Sequence, residues 1–214
     1  MTMSSDCPSS PGNYPSDCQV LENYRTRVRE KTGAETDPAR KLALSRGTDI
    51  KLLLLDVDGV LTDGNLLYTS GGEEAKAFNT QDGFGIRLLR ESGIETGIIT
   101  ARQSEIVARR AEELKIRYVY QGQKSKNGAF RQILTDAGLK PFEVAYMGDD
   151  WLDLCILVQV GLAIAPANGV DEVKNAAHYV TEKSGGSGAV REACSLILEA
   201  KKMLPGLLQK YTNR

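Results

Sequence analysis

The chain has a single histidine, His178, and four cysteines, Cys7, Cys18, Cys155 and Cys194. One imidazole cannot build a histidine metal cluster, and a Ser–His catalytic pair would rest on that residue alone. The cysteines follow neither a metal-binding spacing nor a disulfide framework, so a reduced, cytoplasmic protein is expected. Apolar runs are short; the one at 52–55 is far below the length that spans a bilayer. The start, Met1-Thr2-Met3-Ser4-Ser5-Asp6, lacks the basic and apolar stretches of a secretory signal. Excess charge is also missing: 27 basic and 28 acidic side chains give a net charge of −1, which argues against nucleic acid or an anionic membrane as the main partner. What remains, 214 residues with 41% hydrophobic and 26% charged side chains, is ordinary globular composition. It is long enough for one domain with a full core and an appendage.

Composition shifts near residue 50. Residues 1–18 are rich in Ser, Pro, Asp, Asn and Gly and cannot offset the entropy of their own ordering. Val20, Leu21, Tyr24 and Val28 form a weak helical pattern, and a short helix is expected at 39–45. Residues 1–47 therefore read as an N-terminal extension, partly disordered or helical, and 48–214 as the functional domain. From residue 50 strand and helix signals alternate. Strands are predicted at 52–55, 96–99, 118–120, 143–147 and 162–164. Helices are predicted after Asp82 up to Gly93, from Ser104 to Leu114, up to Gly138, at 152–158 and at 189–204. This alternation predicts an α/β fold with a parallel, doubly wound sheet, whose strand carboxyl ends share one edge. Leu66-Leu67-Tyr68, Ser70-Gly71-Gly72 and 74–78 break the rhythm and predict a β-hairpin projecting from that edge.

Polar residues fall just beyond four of the strands: Asp56 with Asp58, Thr100, Lys126, and Asp149 with Asp150 and Asp153. The topology brings them to one edge although they lie far apart in the chain. Several carboxylates suit a hard dication such as Mg²⁺. A hydroxyl and an ammonium beside them suit a phosphoryl group. With His178 the only histidine for a Ser–His pair, a carboxylate nucleophile forming an aspartyl-phosphate is the economical chemistry. Taken singly, each residue has a plainer reading. Asp56 and Asp58 could close a turn, Thr100 could cap a helix, Lys124 is equivalent to Lys126 by charge, and Asp150 and Asp153 suit a helix N-terminus.

Asp56-Val57-Asp58-Gly59-Val60-Leu61-Thr62-Asp63-Gly64 resembles the first motif of the haloacid dehalogenase superfamily. Thr100, Lys126 and Gly148-Asp149-Asp150-Trp151-Leu152-Asp153 resemble its second, third and fourth motifs, in order. Lys76-Ala77-Phe78-Asn79, Asp82-Gly83-Phe84-Gly85-Ile86, Tyr120-Gln121-Gly122-Gln123 and 185–192 resemble the capless family that hydrolyses 3-deoxy-D-manno-octulosonate 8-phosphate (KDO 8-phosphate) in lipopolysaccharide precursor biosynthesis. The likeness covers about residues 40–200. It implies that Asp56 attacks phosphorus and that Asp58 acts as acid, then base. It also implies that Mg²⁺ is held by Asp56, Asp149 and the Asp58 carbonyl, that Thr100 and Lys126 hold phosphate oxygens, and that Asp150 and Asp153 orient metal-bound water or Lys126.

The resemblance further implies a homotetramer. The gaps between Asp58 and Thr100 and between Lys126 and Asp149 have no room for a cap domain, and the apolar hairpin would wall a neighbour's site. A sugar acid offers a carboxylate, which a guanidinium reads. In the family, Arg two residues beyond the second-motif Thr accompanies KDO 8-phosphate, whereas enzymes for nine-carbon, sialic-type acids carry Glu there. This chain has Arg102, within Thr100-Ala101-Arg102 rather than the usual Thr-Gly-Arg. Lys76 and Arg191 are further candidates for substrate contact, and the glycines of 185–188 would let the segment bearing Arg191 swing over the site. The competing readings are a phosphatase for another acid sugar phosphate and a non-catalytic assembly module.

Overall fold

The computed structural model describes residues 22, 37–68, 70–71 and 74–212. The helical pattern over Val20 to Val28 lies outside them, apart from Glu22. The fold is the expected α/β one. Helix α1 (Pro38–Gly47) precedes β1 (Leu52–Leu55), the hairpin strands β2 (Leu67–Tyr68) and β3 (Glu74–Ala75), α2 (Thr80–Glu91) and β4 (Glu95–Ile99). Then come α3 (Glu105–Leu114), β5 (Tyr118–Tyr120), α4 (Lys126–Ala137), a 3₁₀ turn at Pro141–Glu143, β6 (Val144–Met147) and α5 (Trp151–Leu157). β7 (Leu162–Ala165), α6 (Asp171–Ala176), β8 (Tyr179–Val180), α7 (Ala189–Ala200) and α8 (Leu204–Thr212) complete the chain.

Six strands form one sheet in the order β5-β4-β1-β6-β7-β8, every pair parallel. The four leucines of β1 show why a continuous apolar run is needed in the middle of it. Leu53 and Leu55 enter the core beneath α1, α2, α3 and α7, and Leu52 and Leu54 enter the core beneath α4, α5 and α6. The chain runs outward from β1 in both directions, so β1 and β6 flank the topological switch point, where such sheets bind ligands. The hairpin pairs Leu67 with Ala75 and Tyr68 with Glu74.

Helix ends follow local chemistry. The Asn79 side chain accepts hydrogen bonds from Gln81 and Asp82 at the start of α2. Ser104 stands at the N-cap of α3 without a side-chain capping bond. The helix expected at 189–204 is two helices: Pro205 can neither donate to nor sterically accept a continuing α7, and Lys202 turns the chain with φ 58°. Two short elements, α6 and β8, had no signal in the sequence pattern. Helix α1 lies in the stretch read as an extension, yet it joins the core through Ala43, fully buried, and Arg40 pairs with Glu199 of α7.

Candidate active site

Asp56 follows β1, and its backbone N–H donates to the Met147 carbonyl of β6 at 3.0 Å. Asp149 follows β6 directly, so the switch point sets the two carboxylates side by side. One oxygen from each of Asp56, Asp149 and Asp153 lies within 4.8 Å of the others. Lys126, in the first turn of α4, points back to them: its Nζ is 2.8 Å from Asp56 Oδ2 and 2.6 Å from Asp153 Oδ1, with its side chain 1% exposed. Thr100, after β4, is buried, and its N–H donates to the Tyr120 carbonyl at 2.9 Å. Asp56, Asp58, Thr100, Arg102, Asp149 and Asp150 line a cavity of about 250 Å³.

Two glycines make this crowding possible. A Cβ on Gly59, whose φ is +84°, would sit 2.0 Å from Asp149 Oδ2, and one on Gly148 would sit 2.3 Å from Asp153 Cγ. The loop of Gly59 is pinned from behind: Asn168 Nδ2 donates to the Gly59 carbonyl at 3.0 Å, and its Oδ1 accepts from Gly185 N–H at 2.6 Å. Gly186 N–H donates to the Val60 carbonyl at 3.0 Å. The first glycines of 185–188 therefore brace the site loop in this structure. Gly59, Gly148 and Asn168 were not singled out in the sequence, because only the fold reveals what a side chain there would strike.

The charges are unbalanced. Three carboxylates share one ammonium, and burial together with the charge of Asp153 pushes Asp56 up to about 6, against the pull of Lys126. Burial, then Asp56, Asp153 and Asp150, pushes Asp149 up to about 7. Burial would lower Lys126, but the Asp56 and Asp153 charges outweigh it and hold the ammonium above its ordinary value. Such a cluster is poised to receive positive charge. Asp153 is the most committed member. Its Oδ2 accepts from the N–H groups of Asp149 at 3.0 Å and Asp150 at 3.2 Å, while Oδ1 takes Lys126 and the buried Tyr146 hydroxyl, the latter at 2.5 Å. Asp150 is exposed and accepts from Trp151 N–H at 2.7 Å as the N-cap of α5.

Asp58 faces the hairpin. Lys76 Nζ, on a buried side chain, is ion-paired to Asp58 Oδ1. Arg102 Nε lies 3.9 Å from Asp58 Oδ2, and its Nη2 donates to Tyr68 Oη at 2.7 Å. Arg191 is not brought here. It lines a separate hollow of about 370 Å³, with its guanidinium 5.2 Å above the Phe84 ring and its N–H donating to Asp82 Oδ1 at 2.7 Å. Its place in a segment resembling the family gave no way to see that α7 faces α2 rather than the sheet edge. Tyr146 escaped the sequence reading, which placed Tyr68 on the hairpin without its contact to Arg102. A tyrosine in an otherwise apolar strand buried on both faces is the one signal that could have marked Tyr146, because its hydroxyl needs a partner.

Comparison with known proteins agrees with this geometry. Residues 118–192 match the model of the haloacid dehalogenase-like hydrolases. The chain is 44% identical over 169 residues to 3-deoxy-D-manno-octulosonate 8-phosphate phosphatase of Yersinia pestis, covering 79% of this chain and 90% of that protein. It is 44% identical over 167 residues to the phosphatase of the same name from Escherichia coli K12, covering 78% and 89%. The crystal structure of the Moraxella catarrhalis phosphatase of that name, in complex with magnesium, phosphate and KDO, superposes with a TM-score of 0.77 at 41% identity, covering 79% of this chain and 97% of that one. By its sequence and its fold, the chain belongs to the haloacid dehalogenase-like hydrolases, in the family of the 3-deoxy-D-manno-octulosonate 8-phosphate phosphatases.

Proposed function

We propose that the chain hydrolyses KDO 8-phosphate to KDO and inorganic phosphate in lipopolysaccharide precursor biosynthesis, through an aspartyl-phosphate on Asp56, with Mg²⁺ as cofactor. The observation that carries this reading is the convergence of Asp56, Asp149 and Lys126 at the switch point of a chain 44% identical to phosphatases of that name. The residues fit a dication: oxygen donors only, within reach of one another, and with carboxylates whose proton affinity is raised by burial and by one another's charge. Asp56, Asp149 and the Asp58 carbonyl would hold it. When bound, it supplies charge that lets an anionic nucleophile approach an anionic phosphate.

The side chains do the rest. Asp56 attacks phosphorus in line while Thr100 and Lys126 hold the non-bridging oxygens. The bond to the sugar oxygen breaks, and Asp58 gives that oxygen a proton. The Asp58 carboxylate then takes a proton from water, whose oxygen attacks phosphorus and releases Asp56 and phosphate. Lys76 and Arg102 stand beside Asp58 at the open side of the site, where they can meet a substrate carboxylate. This pairing suits acid sugars, and Arg102 favours the eight-carbon acid.

The exposed hairpin, with Leu67 at 64% and Tyr68 at 59%, supports assembly into a homotetramer that walls the open edge. Among the described residues no helix is long and apolar enough to cross a membrane. Cys155 and Cys194 are free thiols, which suits a reducing cytoplasm. Hydrolysis rates across a panel of acid and neutral sugar phosphates test the substrate. KDO 8-phosphate should exceed nine-carbon acid phosphates and glucose 6-phosphate by at least tenfold in kcat/KM, and equal rates across the panel would overturn the assignment.

A further inference from the structure

The ammonium of Lys126 is held by three acceptors, and one of them belongs to a residue with no assigned part in the reaction. Besides Asp56 and Asp153, Nζ donates to the hydroxyl of Tyr146 at 3.3 Å. Tyr146 belongs to the central strand β6 and is fully buried, as are Lys126 and Asp153 to within a few per cent. Asp153 fixes the direction of the bonds. As a carboxylate it can only accept, and the short 2.5 Å contact is of the length found when a hydroxyl donates to an ionised oxygen. The phenol therefore gives its proton to Asp153 Oδ1 and uses an oxygen lone pair to accept from Lys126. Burial and the nearby Asp153 and Asp56 charges hold the phenol well above its ordinary value, so it keeps that proton.

Asp153 is saturated as a result. Its four lone-pair directions are taken by Tyr146, Lys126 and the N–H groups of Asp149 and Asp150. It cannot also coordinate a cation without surrendering one of these donors, so its proximity to Asp56 and Asp149 does not make it a third carboxylate ligand. Its task is to hold Lys126 at one end and the Asp149 loop at the other.

We propose that Tyr146 is a positioning residue. Its hydroxyl balances the pull of Asp153 on Lys126 and so keeps the ammonium where it can reach both Asp56 and a phosphate oxygen. Without the hydroxyl, Asp153 Oδ1 has one donor fewer in a place closed to solvent, and Lys126, which already donates to that same oxygen, is placed to compensate. The ammonium then moves toward Asp153 and away from Asp56. The catalytic consequence rests on the phosphatase reading above, whereas the position of Lys126 does not.

Tyr146→Phe keeps the shape of the ring and removes only the hydroxyl. Crystals of this variant should show Lys126 Nζ beyond hydrogen-bond distance of Asp56. With Mg²⁺ and KDO 8-phosphate, kcat should fall about tenfold while KM changes less than about twofold, because only the phosphoryl grip is loosened. Lys126 in its original place together with an unchanged kcat, even with a lower melting temperature, would overturn the proposal and leave Tyr146 a packing residue. If the wild-type protein cleaves no phosphate ester, the proposed function fails, and the position of Lys126 in Tyr146→Phe still decides the positioning claim.

Discussion

Gly59→Ala isolates the contact on which the two central carboxylates depend. At φ +84° a residue with a Cβ costs about 1–2 kcal/mol from backbone sterics alone. The new methyl would also sit 2.0 Å from Asp149 Oδ2 and 2.4 Å from its Cγ, so the carboxylate must rotate off its rotamer, at about 1 kcal/mol more. The backbone cannot retreat, because Asn168 and Gly185 press on it from behind. A destabilisation of about 2–3 kcal/mol lowers the melting temperature by roughly 5–10 °C in a domain of this size. Displacing an anionic ligand by its own width should weaken Mg²⁺ at least tenfold, or about 1.4 kcal/mol. Gly93→Ala is the matched control: Gly93 has φ +76° with nothing within 4 Å of a Cβ, so it carries the strain without the collision. Calorimetric titration with Mg²⁺, beside thermal melts, reads both terms. Lower melting temperatures in both variants, the larger loss in Gly59→Ala, with weakened Mg²⁺ only in Gly59→Ala, are expected. Equal Mg²⁺ affinity in the two variants would refute the claim that Gly59 makes room for a metal ligand.

The raised Asp56 and Asp149 carboxyls, at about 6 and about 7, set the pH dependence. Each binds a proton more tightly folded than unfolded, so its contribution to stability is fully present below about 4, falls as pH rises from there, and is gone above about 6 for Asp56 and about 7 for Asp149. Metal competes for the same oxygens. The rise in melting temperature on adding Mg²⁺ should be larger at pH 8 than at pH 5.5, and a rise independent of pH would count against these two ligands. Arg102→Ala should raise KM for an acid sugar phosphate about tenfold and leave a neutral sugar phosphate unaffected; equal effects on both substrates in steady-state assays would remove Arg102 as the carboxylate reader. Asp82→Ala removes a buried carboxylate that accepts from Arg191 N–H at the start of α7 and should cost about 1–2 kcal/mol in urea unfolding, with kcat preserved. A loss of kcat in the folded variant would mean that this region acts on the site.

Much of this was legible in the chain because a parallel sheet turns sequence order into geometry. The run Leu52–Leu55 marks a strand buried on both faces, and whatever follows such a strand must emerge at the ligand edge; Asp56 and Thr100 obey this directly. Lys126 obeys it less obviously, since it begins a helix and reaches back. The pattern is silent where the determining partner is distant. The hydroxyl of Tyr146 in an apolar strand says that a partner is needed, but nothing local names Lys126 and Asp153 as that partner, or shows that Asp153 is used up by four donors rather than free for a metal. Arg191 looked equivalent to Arg102 as a cation near a family motif. The difference is that Arg102 follows a strand, whereas Arg191 lies one turn into a helix that packs on α2. The break after Ala200 could have been read from Pro205, whose ring forbids the helix that the apolar periodicity continues.

The most direct test of the account is to find the phosphoryl group on the protein. Acid-quenching the enzyme during turnover of KDO 8-phosphate with Mg²⁺, then mapping peptides by mass spectrometry, should place a phosphoryl adduct on Asp56. The adduct should be absent without Mg²⁺ and absent in Asp56→Asn, which should also lose turnover while remaining folded. An adduct on another residue, or undiminished turnover by Asp56→Asn, would contradict it.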